Sequence, residues 1–243
     1  DSVIHLAAYG SVVNSVENPV ENFEVNAQGT FNVLNAAKIS NIERVIFAST
    51  GGALIGNASP PVNELSLPRP ISPYGASKLA GEGYCSAFAN AYDISVTALR
   101  FANVIGPNSW HKKGAVTAFF KSIMKNEPII IYGTGNATRD FLFVEDLCNG
   151  IIKALDASDV GFNVYHLASG KETSVNHLAE ISCEIARVPE HYIIHENVRA
   201  GEVERNFADY QLAKQKIGFN PEVEFKESMR RTWDWFQLYA QSI

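Results

Sequence analysis

Tyr74 and Lys78 stand four residues apart in Ser72-Pro73-Tyr74-Gly75-Ala76-Ser77-Lys78. On a helix that spacing puts phenol and amine on one face, with Cβ atoms about 5–6 Å apart. A phenol titrates near pH 10, so service as a base near neutrality costs about 4 kcal/mol. An ammonium about 6 Å away, at an effective dielectric near 20, returns roughly 2–3 kcal/mol, and a second bound cation would supply the rest. A Tyr-x-x-x-Lys pair also arises by chance on exposed helices, so its surroundings decide its meaning. Upstream, Phe47-Ala48-Ser49-Thr50-Gly51-Gly52-Ala53 places hydroxyls at the end of an apolar run. In open α/β sheets ligands bind at the carboxyl ends of the strands. Thr50 is therefore a candidate contact, whereas the simpler role for Ser49 is to bond the backbone of the turn.

The elements that must position these groups follow from periodicity. Val3–Ala8, Arg44–Ser49 and Ser95–Phe101 are short apolar runs of the kind buried in a parallel sheet. Between them, Val20–Lys38 has helical spacing, with Phe23, Ala27, Phe31, Leu34 and Ala37 on one face. Pro60, Pro61, Pro68 and Pro70 mark a surface loop, and Pro73 opens a helix to about Tyr92. Further on come a helix near Ala115–Lys125, a strand Ile129–Tyr132 and a helix N-capped by Asp146 that runs to about Ala157. A strand Val164–Ala168, a helix Val175–Arg187 and an aromatic amphipathic helix from Phe225 to about Tyr239 complete the chain. Repeated strand–helix–strand order predicts a parallel α/β sheet.

Composition narrows the classes. The 243 residues are 46% hydrophobic and 19% charged, with a net charge of −6, which predicts an ordered core and no nucleic-acid partner. No apolar run approaches the roughly 18 residues of a membrane helix. Three scattered cysteines (Cys85, Cys148, Cys183) argue against a disulfide framework and for a cytoplasmic setting. His191 and His195 lack the further ligands of a metal site, so no metal is expected. The Gly-x-Ser-x-Gly elbow of an α/β-hydrolase does not occur. The chain enters a strand pattern almost at Asp1 with no signal peptide before it, and the expectation is that its N-terminal portion is missing.

His5-Leu6-Ala7-Ala8, Asn26-Ala27-Gln28-Gly29-Thr30, Ser49-Thr50-Gly51-Gly52, Tyr74-Gly75-Ala76-Ser77-Lys78, the run Leu99–Pro107 and Arg139-Asp140-Phe141-x-x-Val144 occur in one order. Together they resemble the extended short-chain dehydrogenase/reductases, the branch of NAD-dependent nucleotide-sugar epimerases and dehydratases. That resemblance implies a Rossmann-like doubly wound parallel sheet with a smaller α/β substrate-binding domain. The division it implies is 1–107 with 140–169 for the dinucleotide, and 108–139 with 170–243 for the nucleotide sugar. It makes Tyr74 the base that takes a proton from a sugar hydroxyl as hydride leaves for the nicotinamide. Lys78 would lower the phenol and hold the nicotinamide ribose, and Thr50 would bond the same sugar oxygen. Leu6, Ala7, Ala8, Ser49, Phe101 and Val104 fall on the cofactor side. Asn103 and Arg139 match substrate-phosphate contacts, and Arg199 and Glu202 a later segment that grips phosphate and ribose. The alternative for Arg139 is a local surface ion pair with Asp140.

Departures refine these expectations. Family dehydratases carry acidic residues just after the active-site hydroxyl, where this chain has Gly51 and Gly52. Redox-neutral inversion is therefore expected: a nucleotide-sugar 4-epimerase acting on a UDP-hexose, with NAD as cofactor and NADP left open. The alternatives are a reductase, dehydratase or decarboxylase of the same family, or a truncated inactive binding module. Asn206 falls where related epimerases vary the bulk that admits or excludes an N-acetyl group. No Gly-x-Gly-x-x-Gly phosphate turn occurs, and its expected place is before Asp1. A homodimer through residues 20–38 and 73–92 is expected, with Phe31, Tyr84 and Phe88 as candidate contacts and burial in the chain's own core as the equal alternative for them.

Overall fold

The computed structural model describes residues 1–197 and 204–241. β1 (Ser2–His5) is followed by α1 (Val12–Glu17), α2 (Pro19–Asn22) and a π-helical turn at Phe23–Gln28 that runs into α3 (Gly29–Ile39). β2 (Arg44–Thr50) leads through α4 (Gly52–Ile55) and the proline-rich loop to α5 (Pro73–Tyr92) and β3 (Ser95–Phe101). Next come β4 (Asn103–Ile105), α6 (Ala115–Met124), β5 (Ile129–Tyr132), β6 (Thr138–Arg139) and β7 (Phe141–Phe143). α7 (Val144–Asp156), β8 (Phe162–Leu167), β9 (Thr173–Ser174) and α8 (Val175–Ala186) follow. β10 (Ile193–Glu196), α9 (Gln211–Ile217) and α10 (Phe225–Ala240) close the described chain.

The main sheet has the order β1-β2-β3-β8 and is parallel throughout. Its two central strands are buried on both faces, because apolar residues occupy both parities of each run. Val45, Phe47, Val96 and Ala98 meet Leu34 of α3 and Cys85 and Phe88 of α5 on one side. Ile46 and Leu99 meet Leu147 and Ile151 of α7 and Ile217 of α9 on the other. Helices on both faces make the sheet doubly wound, as expected. A separate cluster joins Phe120 of α6, Ile129 and Ile131 of β5, Leu178 of α8, and Met229, Trp233 and Phe236 of α10.

Two expectations need correction. The helix expected over Val20–Lys38 contains the π-helical turn, whose extra residue rotates the apolar stripe. Ala27, Leu34 and Ala37 are buried, but Phe23 is 60% and Phe31 38% exposed. Asp146 is not an N-cap: α7 begins two residues earlier, and the buried carboxylate accepts from the backbone N–H groups of Glu222 (3.2 Å) and Val223 (3.0 Å). It therefore fastens the segment before α10 rather than starting its own helix.

Candidate active site

The first turn of α5 is fixed by local chemistry. Ser72 is extended at the N-cap, its hydroxyl accepts from the N–H of Gly75 (3.2 Å), and Pro73 begins the helix. Tyr74 follows at once, half-buried, with its phenol close enough to the side chain of Thr50, at the carboxyl end of β2, to feel it electrostatically. Such proximity requires α5 to lie close to its neighbours, and glycines permit it. A Cβ on Gly75 would sit 2.1 Å from the carbonyl oxygen of Ala53, and one on Gly81 would sit 2.6 Å from the Phe47 ring.

Lys78 lies one turn below Tyr74 and is 3% exposed. Its ammonium donates to the carbonyl of Ala48 (2.7 Å) and rests 4.9 Å from the centre of the Phe47 ring. Burial pushes this amine down to about 8, so it carries less charge near neutrality than a free lysine. Burial likewise holds the Tyr74 phenol above its ordinary value, against the smaller downward pull of the neighbouring Thr50 side chain. The lowering of Tyr74 expected from Lys78 is therefore not produced by these groups as they stand. Beneath them, His5 stacks on Phe47 at 5.9 Å and pairs with the Thr30 hydroxyl at 3.2 Å, its imidazole lowered by burial and then by the Lys78 charge.

Leu6, Ala7 and Ala8 emerge from β1 exposed at the same sheet edge. The loop they open is tied down by Asn26, a residue of the π-helical turn. Its side chain accepts from the N–H of Tyr9 (2.7 Å) and donates to the Tyr9 carbonyl (3.2 Å) and the Ser77 hydroxyl (3.1 Å). The sequence showed Asn26 within a motif but no task for it; turns of this kind concentrate at functional sites. Ser49 points the other way, donating from its buried hydroxyl to Glu82 (2.5 Å) rather than to the turn backbone or the open edge. Phe101 and Val104 are half-buried and pack against the core that includes Leu99 and Leu142.

A chain of contacts leads from Thr50 toward Arg139. A Cβ on Gly52 would come within 2.6 Å of the Asn206 side-chain amide, so any larger residue there would have to displace Asn206. The Asn206 N–H donates to the Thr138 carbonyl (3.2 Å), and Arg139 follows on β6. Arg139 donates from Nη1 to that carbonyl as well (2.7 Å). Asp140 is not its surface partner. The buried Asp140 carboxylate accepts from the N–H (2.8 Å) and hydroxyl (2.7 Å) of Ser169 and from the N–H of Gly170 (3.0 Å). Asn103 reaches the Asp140 carbonyl at 3.2 Å, at the adjacent end of the β4–β7 pair. Arg199 and Glu202 lie outside the described residues. Among the described residues no group of His, Cys, Asp or Glu could hold a metal ion, and no helix is long and apolar enough to cross a membrane.

Residues 1–168 match the NAD dependent epimerase/dehydratase family. A protein of Methanocaldococcus jannaschii, named provisionally as a UDP-glucose 4-epimerase, is 38% identical over 239 residues, spanning 97% of this chain and 76% of that protein. The crystal structure of UDP-glucose 4-epimerase with UDP-glucose from Thermotoga maritima superposes with a TM-score of 0.94 at 32% identity, covering 98% of this chain and 78% of that one. The Thermus thermophilus UDP-glucose 4-epimerase in complex with NAD gives 0.88 at 33% identity, over 97% and 77%. With its hydroxyl pair at the carboxyl edge of a doubly wound sheet, the chain belongs to the NAD dependent epimerase/dehydratase family.

Proposed function

We propose that the chain is a nucleotide-sugar 4-epimerase that acts on a UDP-hexose with NAD as its cofactor. The observation that carries this is the Tyr74 phenol beside the Thr50 side chain at the end of β2, with the buried Lys78 amine one turn below. NAD, when bound, would supply the reversible hydride acceptor for the sugar carbon. The residues present fit its nicotinamide end. Lys78 is a buried three-donor group whose single hydrogen bond among the described residues is to Ala48, which leaves donors for a ribose. Leu6, Ala7 and Ala8 leave β1 exposed, with side chains small enough at 7 and 8 for close approach. The Gly-x-Gly-x-x-Gly turn that would cradle the pyrophosphate does not occur in these residues.

Thr50 and Tyr74 hold one sugar hydroxyl between them, and the phenolate oxygen of Tyr74 receives its proton. The same phenol then returns that proton to the same oxygen, so no net acid or base is consumed. Raised by burial, the phenol needs positive charge beyond that of Lys78 to ionise, and an oxidised nicotinamide bound beside it would supply that charge. Gly51 and Gly52 provide no acid to expel a leaving hydroxyl, which favours inversion over water loss. Arg139, with its planar fork, pairs with the substrate diphosphate, and Asn103 contacts phosphate beside it. Arg199 and Glu202 complete the nucleotide grip.

The division into a dinucleotide-binding and a smaller sugar-binding domain belongs to this proposal, supported by the separate core under α6, α8 and α10. So do a homodimer and a cytoplasmic setting, the latter in keeping with three free cysteines. Phe31 and Tyr84, in edge contact at 5.3 Å and 38% and 43% exposed, offer the dimer face, while Phe88 is 6% exposed and belongs to the core. The test is Tyr74→Phe. Interconversion of UDP-glucose and UDP-galactose should fall by about a hundredfold or more with UDP-sugar binding intact. Near-normal turnover in that variant would overturn the assignment.

A further inference from the structure

α5 carries a stripe of three polar residues at helical spacing: Tyr74, Lys78 and Glu82. The first two belong to the site already described; Glu82 has no place in it. Its carboxylate is 5% exposed, yet it makes three hydrogen bonds. It accepts from the Ser49 hydroxyl at 2.5 Å, and from Arg100 in a fork, Nε to Oε1 at 3.0 Å and Nη2 to Oε2 at 2.8 Å. Ser49 and Arg100 are register partners on β2 and β3, and Ser49 immediately precedes Thr50. One buried carboxylate thus ties the helix that bears Tyr74 to the strand that bears Thr50, through the residue next to Thr50.

Stability alone does not explain such a pair. Removing two charges from water costs about what their attraction returns, and well-packed apolar residues often do as well. Arg100 even keeps a buried Nη1 without a partner. What an ion pair adds is direction. Apolar contacts let a helix slide over a sheet, whereas a forked guanidinium and a short hydroxyl bond fix one rotation and one height. We propose that Glu82, with Arg100 and Ser49, is a positioning unit that fixes the height and rotation of Tyr74 relative to Thr50. It rests on the reaction proposed above only for its consequence in turnover, not for its geometry.

The test uses the whole chain labelled with 13Cζ-tyrosine, with the Tyr74 resonance identified by its loss in Tyr74→Phe. Thr50→Val gives the resonance position without the hydroxyl partner. Ser49→Ala removes one hydrogen bond and leaves the ion pair charged and matched; Glu82→Met/Arg100→Met replaces the pair with apolar bulk. Both should move the Tyr74 resonance toward the Thr50→Val position. Turnover should fall on the order of 100-fold in the double variant, with KM within about threefold of the parent. Arg100→Lys, which keeps charge but not the fork, should lie between. A Tyr74 resonance unmoved in Ser49→Ala overturns the proposal, and decides the matter if the double variant fails to fold. If the resonance moves while Tyr74→Phe remains active, the positioning unit stands and the proposed reaction falls.

Discussion

Two glycines on one helix should respond to the same substitution with opposite signs. At Gly75 an added methyl would lie 2.1 Å from the Ala53 carbonyl oxygen and 2.8 Å from its carbon, backbone atoms of α4 that cannot rotate away. Ordinary contact begins near 3.4 Å, so α5 and α4 must part by about 1.3 Å at the residue next to Tyr74. Overpacking of this kind costs about 1–3 kcal/mol. A displacement of about 1 Å between reacting groups lowers turnover on the order of 100-fold. At Gly83 nothing lies within 4 Å of the added methyl. Alanine there should stabilise the helix by about 0.5–1 kcal/mol and leave turnover unchanged. Urea unfolding and sugar-nucleotide interconversion, measured side by side on Gly75→Ala and Gly83→Ala, make the comparison. Equal effects of the two substitutions would refute the claim that close approach of α4 sets the position of Tyr74.

Other perturbations act through buried charge. Burial lowers Lys78 to about 8 in the folded chain, so between there and its ordinary value the unfolded chain binds the extra proton and stability rises with pH. Relative to Lys78→Met, the parent should gain about 2 kcal/mol of unfolding free energy from pH 8 to pH 10, while the variant loses turnover; parallel curves would contradict the burial of the amine. His166 is buried with neither ring nitrogen bonded, and burial, with the nearby Arg100 charge, pushes it down to about 3. The unfolded chain protonates that imidazole first, so stability is full above about pH 6.5 and is lost as pH falls toward 3. His166→Gln should remove about 2 kcal/mol of the difference in unfolding free energy between pH 7 and pH 5; an unchanged difference would show the ring to be solvated.

The parts of the fold that could be read from the chain are those governed by local period. Arg44–Ser49 and Ser95–Phe101 are short runs with apolar residues at both parities and turn residues after them, the pattern of a strand buried on both faces. Tyr74 and Lys78 were legible for the same reason, a fixed spacing after Ser72-Pro73. Side-chain partners set by tertiary approach were not. That Lys78 reaches the Ala48 carbonyl and Ser49 turns to Glu82 depends on how α5 crosses β2, which no spacing encodes. Glu82 did carry a signal, since it continues the Tyr74–Lys78 stripe by one more turn, but its Arg100 partner lies on another element. Asp146 misled because an acidic residue near a helix start suits both a cap and a distant pair of backbone N–H groups. Phe23 and Phe31 left the expected face because the π-helical turn inserts a residue that composition does not announce.

The most direct measurement is the fate of hydrogen at C4 when UDP-glucose is converted in D2O with NAD present. Transient oxidation at that carbon, with the proton handled by Tyr74 on oxygen alone, yields UDP-galactose that keeps protium at C4 and leaves no net NADH. Deuterium at C4, or NADH that grows in step with product, would contradict it.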